Sequence, residues 1–480
     1  MLITIIELLV VLLALYIGSK YGSLALGAIA GLGLAILVFG DGLKPGTPPT
    51  DVIYIIVAAV TCAGVLQASG GMDWMVQIAE RLLRKHPQYI TYLAPLSTFT
   101  LTILVGTGHV MYTLMPIITD VAIKKGIRPE RPCAIASVAS MVAIICSPIS
   151  AAVVAFSTIS SLNGFPITIP QIVAVTIPAC LIGVMVAAAW SSRRGLDLRE
   201  DPEFQLRMAD PVQREYIYGR TDTLLDKQID KKSKLAVYIF LITIAVIIVL
   251  AFAQQILPAY ETVIPVDGAE PVLLPTNELV SPEDLASAGI VMAGITEKVA
   301  VPIKMYLVIQ ILLITAAALM IIFCDSKPKN AVAGNVWQSG MVAVVAIYGI
   351  AWLSNTFFNA HIAEIKDLLG TMVAEYSWTV AFMFFVFSVL INSQGAVIVS
   401  LLPVAYALGI PGWVLLGVLP CAYGYFFIPN YPTDIATVNM DRTGTTKIGK
   451  YVFNHSFMVP GLICVFVSTI VSYVLAMVIF

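Results

Sequence analysis

The chain has 480 residues and a mean hydropathy of +0.91, with 59% hydrophobic and only 12% charged residues. A soluble domain has about twice that charged fraction, so the composition excludes an ordinary water-soluble protein. A net charge of −2, without a basic aromatic patch, gives no indication of nucleic-acid binding. Many apolar runs of 17 to 24 residues are long enough to cross a hydrocarbon layer of ~30 Å as packed helices.

The sequence carries no enzyme signature, since it lacks GxSxG, HExxH, a P-loop and paired carboxylates in an apolar run. Its cysteines show no metal-ligand spacing, so we expect small buried hydrophobic residues, with no metal and no other cofactor. The seven are Cys62, Cys133, Cys146, Cys180, Cys324, Cys421 and Cys464. The first residues lack a positive n-region and a cleavage site, which favours a first membrane helix over a removed signal peptide.

Clusters of basic residues mark the cytoplasmic loops of a membrane protein. Residues 193–234 carry ten Lys or Arg, whereas residues 258–300 carry seven acids and one lysine, Lys298. The first segment is therefore expected in the cytoplasm and the second in the periplasm, separated by one helix at about 235–257. The other basic clusters are Arg81, Arg84 and Lys85; Lys124, Lys125, Arg128 and Arg131; Lys327 and Lys329; and Arg442, Lys447 and Lys450.

An apolar segment at about 89–123 lies between two basic clusters, so both of its ends are expected on the cytoplasmic side. Its roughly 35 residues are too few for two crossings and a turn, which need more than about 40. This favours a re-entrant hairpin that opens to the cytoplasm, and two short ordinary crossings are the alternative. The predicted tip, near the membrane midplane, is Gly106, Thr107, Gly108 and His109.

A second apolar stretch, without a charged residue between Glu375 and Asp434, also contains a polar break. A helix at about 334–358 leads to it from a cytoplasmic cluster, so a hairpin at about 376–410 would open to the outside. The residues of this second break are Asn392, Ser393, Gln394 and Gly395. Amphipathic segments at 72–85 and 361–374 are expected to be interfacial helices that lead into the two hairpins.

The two hairpins share a sequence pattern. Gly-x-Val-x-x-x-Leu-x-Pro occurs at 108–116 and again 287 positions later, at 395–403. Each hairpin is also followed by an apolar run with a proline break, and Pro148 and Pro432 lie 284 positions apart. Proline blocks a helical hydrogen bond, so each run should become two half-helices, although a kinked ordinary helix remains the alternative. Two such segments of opposite orientation predict the inverted repeat of a secondary transporter.

The predicted fold is an all-α polytopic membrane protein with about ten spanning helices and two re-entrant hairpins. Its regions are a first membrane half at 1–192, a cytoplasmic loop at 193–234, a spanning helix at 235–257, a periplasmic acidic loop at 258–300 and a second half at 303–480. Both termini are expected in the periplasm. The spanning helices are predicted at about 2–17, 21–40, 52–70, 133–160, 171–192, 235–257, 303–324, 334–358, 412–440 and 456–479.

Each helix break exposes unpaired N–H groups, which attract anions at a half-helix N-terminus. Polar side chains at the breaks add neutral donors, although most single Ser and Thr residues in membrane helices only pack or bond back to the helix. His109 is either a proton site or a packed residue, and Asp434 either binds a coupling ion or proton or caps a half-helix. The other candidate substrate-binding residues at the proline breaks are Ser147, Pro148, Ser150, Asn430, Pro432 and Thr433.

Several longer motifs resemble the anaerobic C4-dicarboxylate transporter (Dcu) family over nearly the whole chain. They are 81–85 (RLLRK), 102–109 (TILVGTGH), 127–132 (IRPERP), 147–150 (SPIS), 444–446 (GTT) and 454–455 (NH). Within the family, 216–219 (YIYG) and 223–227 (TLLDK) look like the B-type, a fumarate/succinate antiporter. The segment 258–300 is longer than is usual for the family, which leaves its role open.

The resemblance implies a homodimeric inner-membrane exchanger of the ion-transporter superfamily, in which a hairpin-bearing domain moves like an elevator. Such a protein takes up fumarate, malate or aspartate and releases succinate in anaerobic respiration. A proton- or sodium-coupled dicarboxylate symporter is the alternative within transport. A different alternative is a co-sensor role, in which the basic loop 193–234 docks a membrane histidine kinase; the same loop as a solvated linker is the simpler interpretation. The expected partners are the dicarboxylate substrates, membrane lipid, a second copy of the chain and this kinase, with no nucleic acid.

Overall fold

The computed structural model describes residues 2–21, 24–219, 221–266, 272–273, 279–288, 290–292, 294–429, 431–449 and 454–480. The described chain is mostly α-helical, and many of its helices are apolar. This confirms an all-α polytopic class, while the number of spanning helices stays a prediction. By length and composition, seven described helices are long enough to cross a membrane. Helices α3 (Thr50–Ala68) and α4 (Gly71–Lys85) are bent by 72° at their junction, and they add an eighth span when they are counted as one.

The first half of the chain is helical from its start. Gly70, with φ of 76°, turns the chain between α3 and α4, and Thr168 with Gln171 forms a capping box that begins the long α9. The remaining helices of this half are α1 (Leu2–Tyr21), α2 (Ala25–Ala35, continued by a π-helical turn at Ile36–Gly40), α5 (Ile90–Val105), α6 (Met111–Lys125), α7 (Glu130–Val142), α8 (Ala151–Leu162) and α9 (Ile169–Ser191).

The middle of the chain holds two small folded insertions on either side of α12 (Lys231–Phe252). Before α12 lie α10 (Pro202–Met208) and α11 (Pro211–Tyr218), whose N-caps are Asp201 and Asp210. After it, β1 (Ala259–Pro265) pairs antiparallel with β4 (Thr296–Pro302). Between these strands lie β2 (Val272–Leu273), β3 (Leu279–Val280) and α13 (Pro282–Ser287). The predicted outer loop therefore contains a two-stranded ribbon.

The helices of the second half differ widely in length, from 6 to 41 residues. Its helices are α14 (Met305–Cys324), α15 (Pro328–Ala333), α16 (Asn335–Glu375), α17 (Val380–Ile391), α18 (Gln394–Ala407), α19 (Gly412–Gly417), α20 (Pro432–Met440) and α21 (Met458–Ile479). The main packing pairs are α9 with α21, α5 with α7, α3 with α14 and α2 with α16. The first half and the second half thus interleave instead of forming separate bodies.

Two predicted helix boundaries are wrong. The predicted helices at 334–358 and 361–374 are one continuous helix, α16, because residues 359–361 contain no Gly or Pro and buried His361 pairs with Glu7 of α1 instead of water. The run at 412–440, which was predicted to break near Pro432, is already irregular from Val418 to Pro429, with two short 3₁₀ turns, because Pro420, Gly424 and Pro429 interrupt it.

Candidate functional site

The first predicted tip is a helix break in the structure. Helix α5 ends at Gly106, whose φ of 80° lies in the left-handed region that glycine adopts without strain. Thr107 follows in an extended conformation, and its Oγ1 accepts a hydrogen bond from the His109 backbone N–H at 3.1 Å. A single 3₁₀ turn, Gly108–Val110, then leads into α6. The Thr107 hydroxyl therefore caps the 3₁₀ turn in the absence of any ligand.

The second predicted tip is also a break, built with different residues. Helix α17 ends at Asn392, which takes the left-handed conformation with φ of 54°. Ser393 caps α18, since its Oγ accepts from the Ala396 N–H at 3.3 Å. The Oδ1 of Asn392 and the Oε1 of Gln394 are buried without a hydrogen-bond partner among the described residues.

The proline break after the first hairpin separates α7 from α8. A 3₁₀ turn ends at Cys146, and Ser150 begins α8 by accepting from the Val153 N–H at 3.2 Å. Between them, the Ser147 Oγ donates to the Ile103 carbonyl of α5 at 2.7 Å. Both hydroxyls therefore have structural hydrogen-bond partners, and a role of Ser147 and Ser150 in substrate binding stays a prediction.

The proline break of the second half begins α20 with Pro432 at its first position. Asn430 lies outside the described residues. Thr433 and Asp434 are buried in the first turn of α20, and the Thr433 Oγ1 has no partner among the described residues. Asp434 accepts a hydrogen bond from the Ser137 Oγ of α7 at 2.8 Å. A carboxylate in a first helical turn is also stabilised by the helix dipole, so both interpretations of Asp434 remain open.

One face of α7 holds three of these breaks together. Ser140 donates to the Gly108 carbonyl of the first tip at 2.8 Å, and the Met141 carbonyl accepts from the Gln394 side chain of the second tip at 2.9 Å. One turn earlier, Ser137 binds Asp434. Residues at i, i+3 and i+4 share a helix face, so both tips and the second proline break meet on α7.

The fourth break joins the same cluster. A Cβ built on Gly106 would lie 2.9 Å from Ile149, and one on Gly395 would lie 3.6 Å from the Ala151 Cβ and 3.9 Å from the Ala152 nitrogen. The first turns of α8 and α18 are therefore in contact. Two helix N-termini that meet in one place concentrate unpaired N–H groups and positive dipole ends.

Buried aromatic residues complete the cluster. Tyr425 lies between Tyr423 and Tyr431, with ring centroids 4.9 and 4.7 Å apart, and its hydroxyl donates to the Met141 sulfur at 3.6 Å. His109 stacks on Tyr112 at 5.8 Å. The Tyr423 hydroxyl and the His109 Nδ1 have no partner among the described residues. Buried polar atoms without partners are unusual in a folded protein and indicate a site for water or a ligand.

This cluster has the chemistry of an anion site without a cationic side chain. Segments 86–119, 132–192 and 376–433 contain no Lys or Arg. A carboxylate would therefore be held by helix N-termini, hydroxyls and amides. The described part of the chain contains no group of three metal-ligating side chains.

Sequence reasoning missed Ser137, Ser140, Met141 and the tyrosines. Serines inside an apolar helix look like packing residues, and their partners lie far away in the sequence, 297 positions in the case of Ser137 and Asp434. The spacing Ser137–Ser140 was an available signal, because hydroxyls on one face of a membrane helix often bond to a neighbouring helix. The tyrosines lie in the stretch that was wrongly predicted as helix.

Away from this cluster, buried charges tie the first hairpin to the segment 193–230. Asp120 of α6 pairs with Arg84 of α4 at 3.1 Å and with Arg442 at 3.5 Å. Glu80 of α4 pairs with Arg84 at 2.7 Å and accepts from the Leu224 N–H at 2.8 Å. The segment 193–234 is therefore not a solvated linker near Leu224, because Glu80 and Gln77 of α4 form hydrogen bonds with the backbone there.

Comparisons with known proteins agree with the motifs. Residues 3–480 match the family described as "Anaerobic c4-dicarboxylate membrane transporter". The chain is 42% identical to the anaerobic C4-dicarboxylate transporter DcuB of Escherichia coli O6:H1, over 98% of each chain. It is 34% identical to the C4-dicarboxylate transporter DcuA of Wolinella succinogenes, over 98% of this chain and 99% of that one. A solved structure of Neisseria gonorrhoeae MtrF aligns with 99% of this chain and 93% of that chain at 13% identity and a TM-score of 0.49.

Proposed function

Because the chain belongs to the anaerobic C4-dicarboxylate transporter (Dcu) family, whose members are named as membrane transporters and not as enzymes, we propose that it is an exchanger. It takes up fumarate, malate or aspartate and releases succinate across the inner membrane under anaerobic conditions. The expectation of a transporter and of no enzyme is confirmed at the level of the family. What we propose beyond the family is the direction of exchange, the identity of the substrates and the location in the inner membrane.

One observation supports a single binding site for these substrates. Both hairpin tips and the second proline break form hydrogen bonds with the same face of α7, through Ser137, Ser140 and Met141. A C4-dicarboxylate is short and has a charge at each end. The cluster contains two sets of N–H groups, and each set is suited to bind one carboxylate. Because these donors are uncharged, they allow the dianion to dissociate as well as to bind.

In this mechanism the carboxylates bind at the tips and at the adjoining helix N-termini. Thr107 and the 3₁₀ turn after it serve one end of the substrate, and Asn392 with the first turn of α18 serves the other. The contact of α8 with α18 at Ala151 and Gly395 places a second helix N-terminus at the same end. A hydrogen bond to a charged group contributes about 1.5–3 kcal/mol.

The proposed movement follows the inverted repeat. Two hairpins that open to opposite sides of the membrane, with tips on a common helix, suit alternating access to one site. A domain with the hairpins and α7 moves against a scaffold in a homodimer, with both termini in the periplasm. The matching helix breaks at Gly106 and Asn392 support this architecture.

Counterflow in proteoliposomes tests exchange directly. Labelled fumarate should enter vesicles loaded with succinate faster than empty vesicles. Equal uptake into both, with a requirement for a proton or sodium gradient, would support the symporter instead. Asp434→Asn sharpens the distinction because Asp434 is the buried carboxylate of the cluster. A symporter that protonates Asp434 loses gradient-driven uptake in this variant, whereas an exchanger keeps its response to internal succinate.

A co-sensor role has one observation in its favour. Helices α10 and α11 expose three apolar side chains, with Leu206 77%, Val212 73% and Tyr216 57% exposed. Apolar side chains exposed on two adjacent short helices suit contact with a protein partner, here a membrane histidine kinase. Leu206→Gln with Val212→Gln should reduce co-purification of the kinase and leave transport intact. Deletion of the loop is a poorer test, because Arg128 pairs with Asp201 at its base.

A further inference from the structure

A cavity at the end of α9 has no part in the proposed transport site. It has a volume of about 450 Å³ and is lined by Ala189, Trp190, Arg193 and Arg194. The apolar span of α9 ends at Ser191. The arginines therefore lie immediately beyond the span, at the level where lipid headgroups meet water, and Trp190 lies at the depth that tryptophan favours.

The two arginines of this cavity differ in their surroundings. The Arg194 guanidinium lies 5.5 Å from the centre of the Trp190 ring, pairs with Glu130 at 3.0 Å and donates to the Ser456 carbonyl at 2.7 Å. These contacts fix it and compensate its charge. Arg193 is exposed and forms no ion pair with the described residues. The cavity thus presents one fixed cation and one uncompensated cation.

An apolar stripe leads from the lipid-facing side of α9 to the cavity. Ile182 and Val186 are each 44% exposed, and Trp190 is 37% exposed. They are spaced four residues apart and so follow one face of the helix. On the neighbouring α21, Leu462 is 40% exposed. An acyl chain that lies along this stripe would bring its headgroup to Arg193.

We propose that this cavity binds the phosphate headgroup of an anionic phospholipid, with Arg193 as the phosphate ligand, Arg194 and Trp190 as the fixed floor, and the stripe on α9 as the acyl-chain contact. Arginine binds phosphate through two parallel N–H groups. Basic pockets beside membrane helices on the cytoplasmic side suit anionic headgroups. The proposal does not depend on which substrates are transported.

Native mass spectrometry of the full-length, delipidated protein tests the site. The probes are dioleoyl phosphatidylglycerol, dioleoyl phosphatidylcholine with the same acyl chains, and soluble glycerol 3-phosphate. The parent should retain phosphatidylglycerol in preference to phosphatidylcholine. Arg193→Gln should weaken phosphatidylglycerol binding about fivefold, since one basic residue near an anionic lipid contributes about 1 kcal/mol. Trp190→Leu should weaken it as well, through loss of the floor.

Arg199→Gln is the matched control, because Arg199 is an exposed arginine of the same loop that packs near Gly126 and not in the cavity. It should bind lipid like the parent. Equal retention by the parent and Arg193→Gln would overturn the proposal, as would equal retention of the two lipids. Displacement of phosphatidylglycerol by glycerol 3-phosphate would assign the cavity to free phosphate esters and overturn the lipid assignment. Failure of counterflow leaves these lipid results unaffected, so the two proposals fail separately.

Discussion

The first arm of one hairpin ends with Gly106 in the left-handed region, and the first arm of the other ends with Asn392 in the same region. The first hairpin also carries a buried carboxylate, Asp120, paired with arginines from two other segments. The second hairpin has no charged residue and is held by neutral bonds such as Ser388 to the Cys421 carbonyl and Tyr406 to Ser160. The two predicted hairpins thus share a backbone break but not the interactions that hold their arms.

The difference suggests a division of labour. Ionic contacts are concentrated on α6, the second arm of the first hairpin, whereas uncharged hydrogen bonds hold the second hairpin, which should therefore separate from its neighbours more easily. A buried neutral bond contributes about 1 kcal/mol, while removal of one partner from a buried ion pair costs about 3–5 kcal/mol. The predictions below test this comparison.

An all-or-none difference is expected in the side from which the hairpins can be labelled. Gln88 is exposed at the start of the first hairpin, and Trp378 is 60% exposed at the start of the second. Gln88→Cys should react with a membrane-impermeant thiol reagent only from the cytoplasm, and Trp378→Cys only from the periplasm. The parent is the control, since its seven cysteines are buried. Labelling of both from the same side would refute the inverted repeat.

Asp120→Asn should have the largest effect on stability. It removes the buried carboxylate shared by Arg84, Lys124 and Arg442, and removal of one partner from a buried ion pair costs about 3–5 kcal/mol. The matched change in the second hairpin is Ser388→Ala, which leaves the Gly424 N–H without its acceptor and costs about 1–3 kcal/mol. Unfolding of the purified proteins in one detergent measures both. An equal loss in the two variants would contradict the division of labour.

The tips should differ in how substrate binding is lost. Asn392→Gly keeps the left-handed turn and removes only the amide, so it should reduce fumarate affinity roughly 10- to 150-fold with a normal fold. Asn392→Ala should add a folding penalty of about 1–2 kcal/mol, because alanine is strained at that φ. Thr107→Ala should lose affinity by the same range, and Thr107→Ser should recover it by keeping the hydroxyl.

Thr243→Ala is the control for the tip variants, since among the described residues the Thr243 hydroxyl donates only to the Ile239 carbonyl of its own helix. Calorimetric titration with fumarate measures each affinity. Normal binding by both Asn392→Gly and Thr107→Ala would show that the tips are structural. The proline breaks, at Ser147 and Asn430, would then be the next candidates.

The smallest effect is expected at α7. Ser140→Ala removes one neutral hydrogen bond to the first tip, and Gln394→Met removes one to the second. Each should cost about 0.5–1.5 kcal/mol in affinity. A loss that is larger for Gln394→Met would identify the second tip as the one whose docking on α7 controls binding. No change in either variant would contradict the role of α7 as the common contact.

The residues within each break were sufficient to predict the four helix breaks from the sequence. Glycine, asparagine and proline act on the backbone of their own residues, so Gly106, Asn392 and Pro148 could be placed from sequence. The contacts of Ser137 and Glu80 could not, because they join residues far apart in the chain, and nothing in a short window distinguishes them from packing serines or surface acids. The irregular stretch after Val418 was missed because apolar composition reports burial and not backbone conformation.

Helix α16 has a mechanical consequence. Its 41 residues span about 60 Å, roughly twice the hydrocarbon thickness. About a third of the way along α16, the backbone of Gly349 lies so close to Gly27 of α2 that a Cβ on Gly349 would be 2.0 Å from the Gly27 carbonyl oxygen. A rotation of α16 by about 5° around this crossing would move the far end of the helix by about 3 Å. The first turn of α18 contacts α16 beside the crossing, since a Cβ on Gly395 would be 3.2 Å from Ile347, so the same rotation would leave the second tip almost in place.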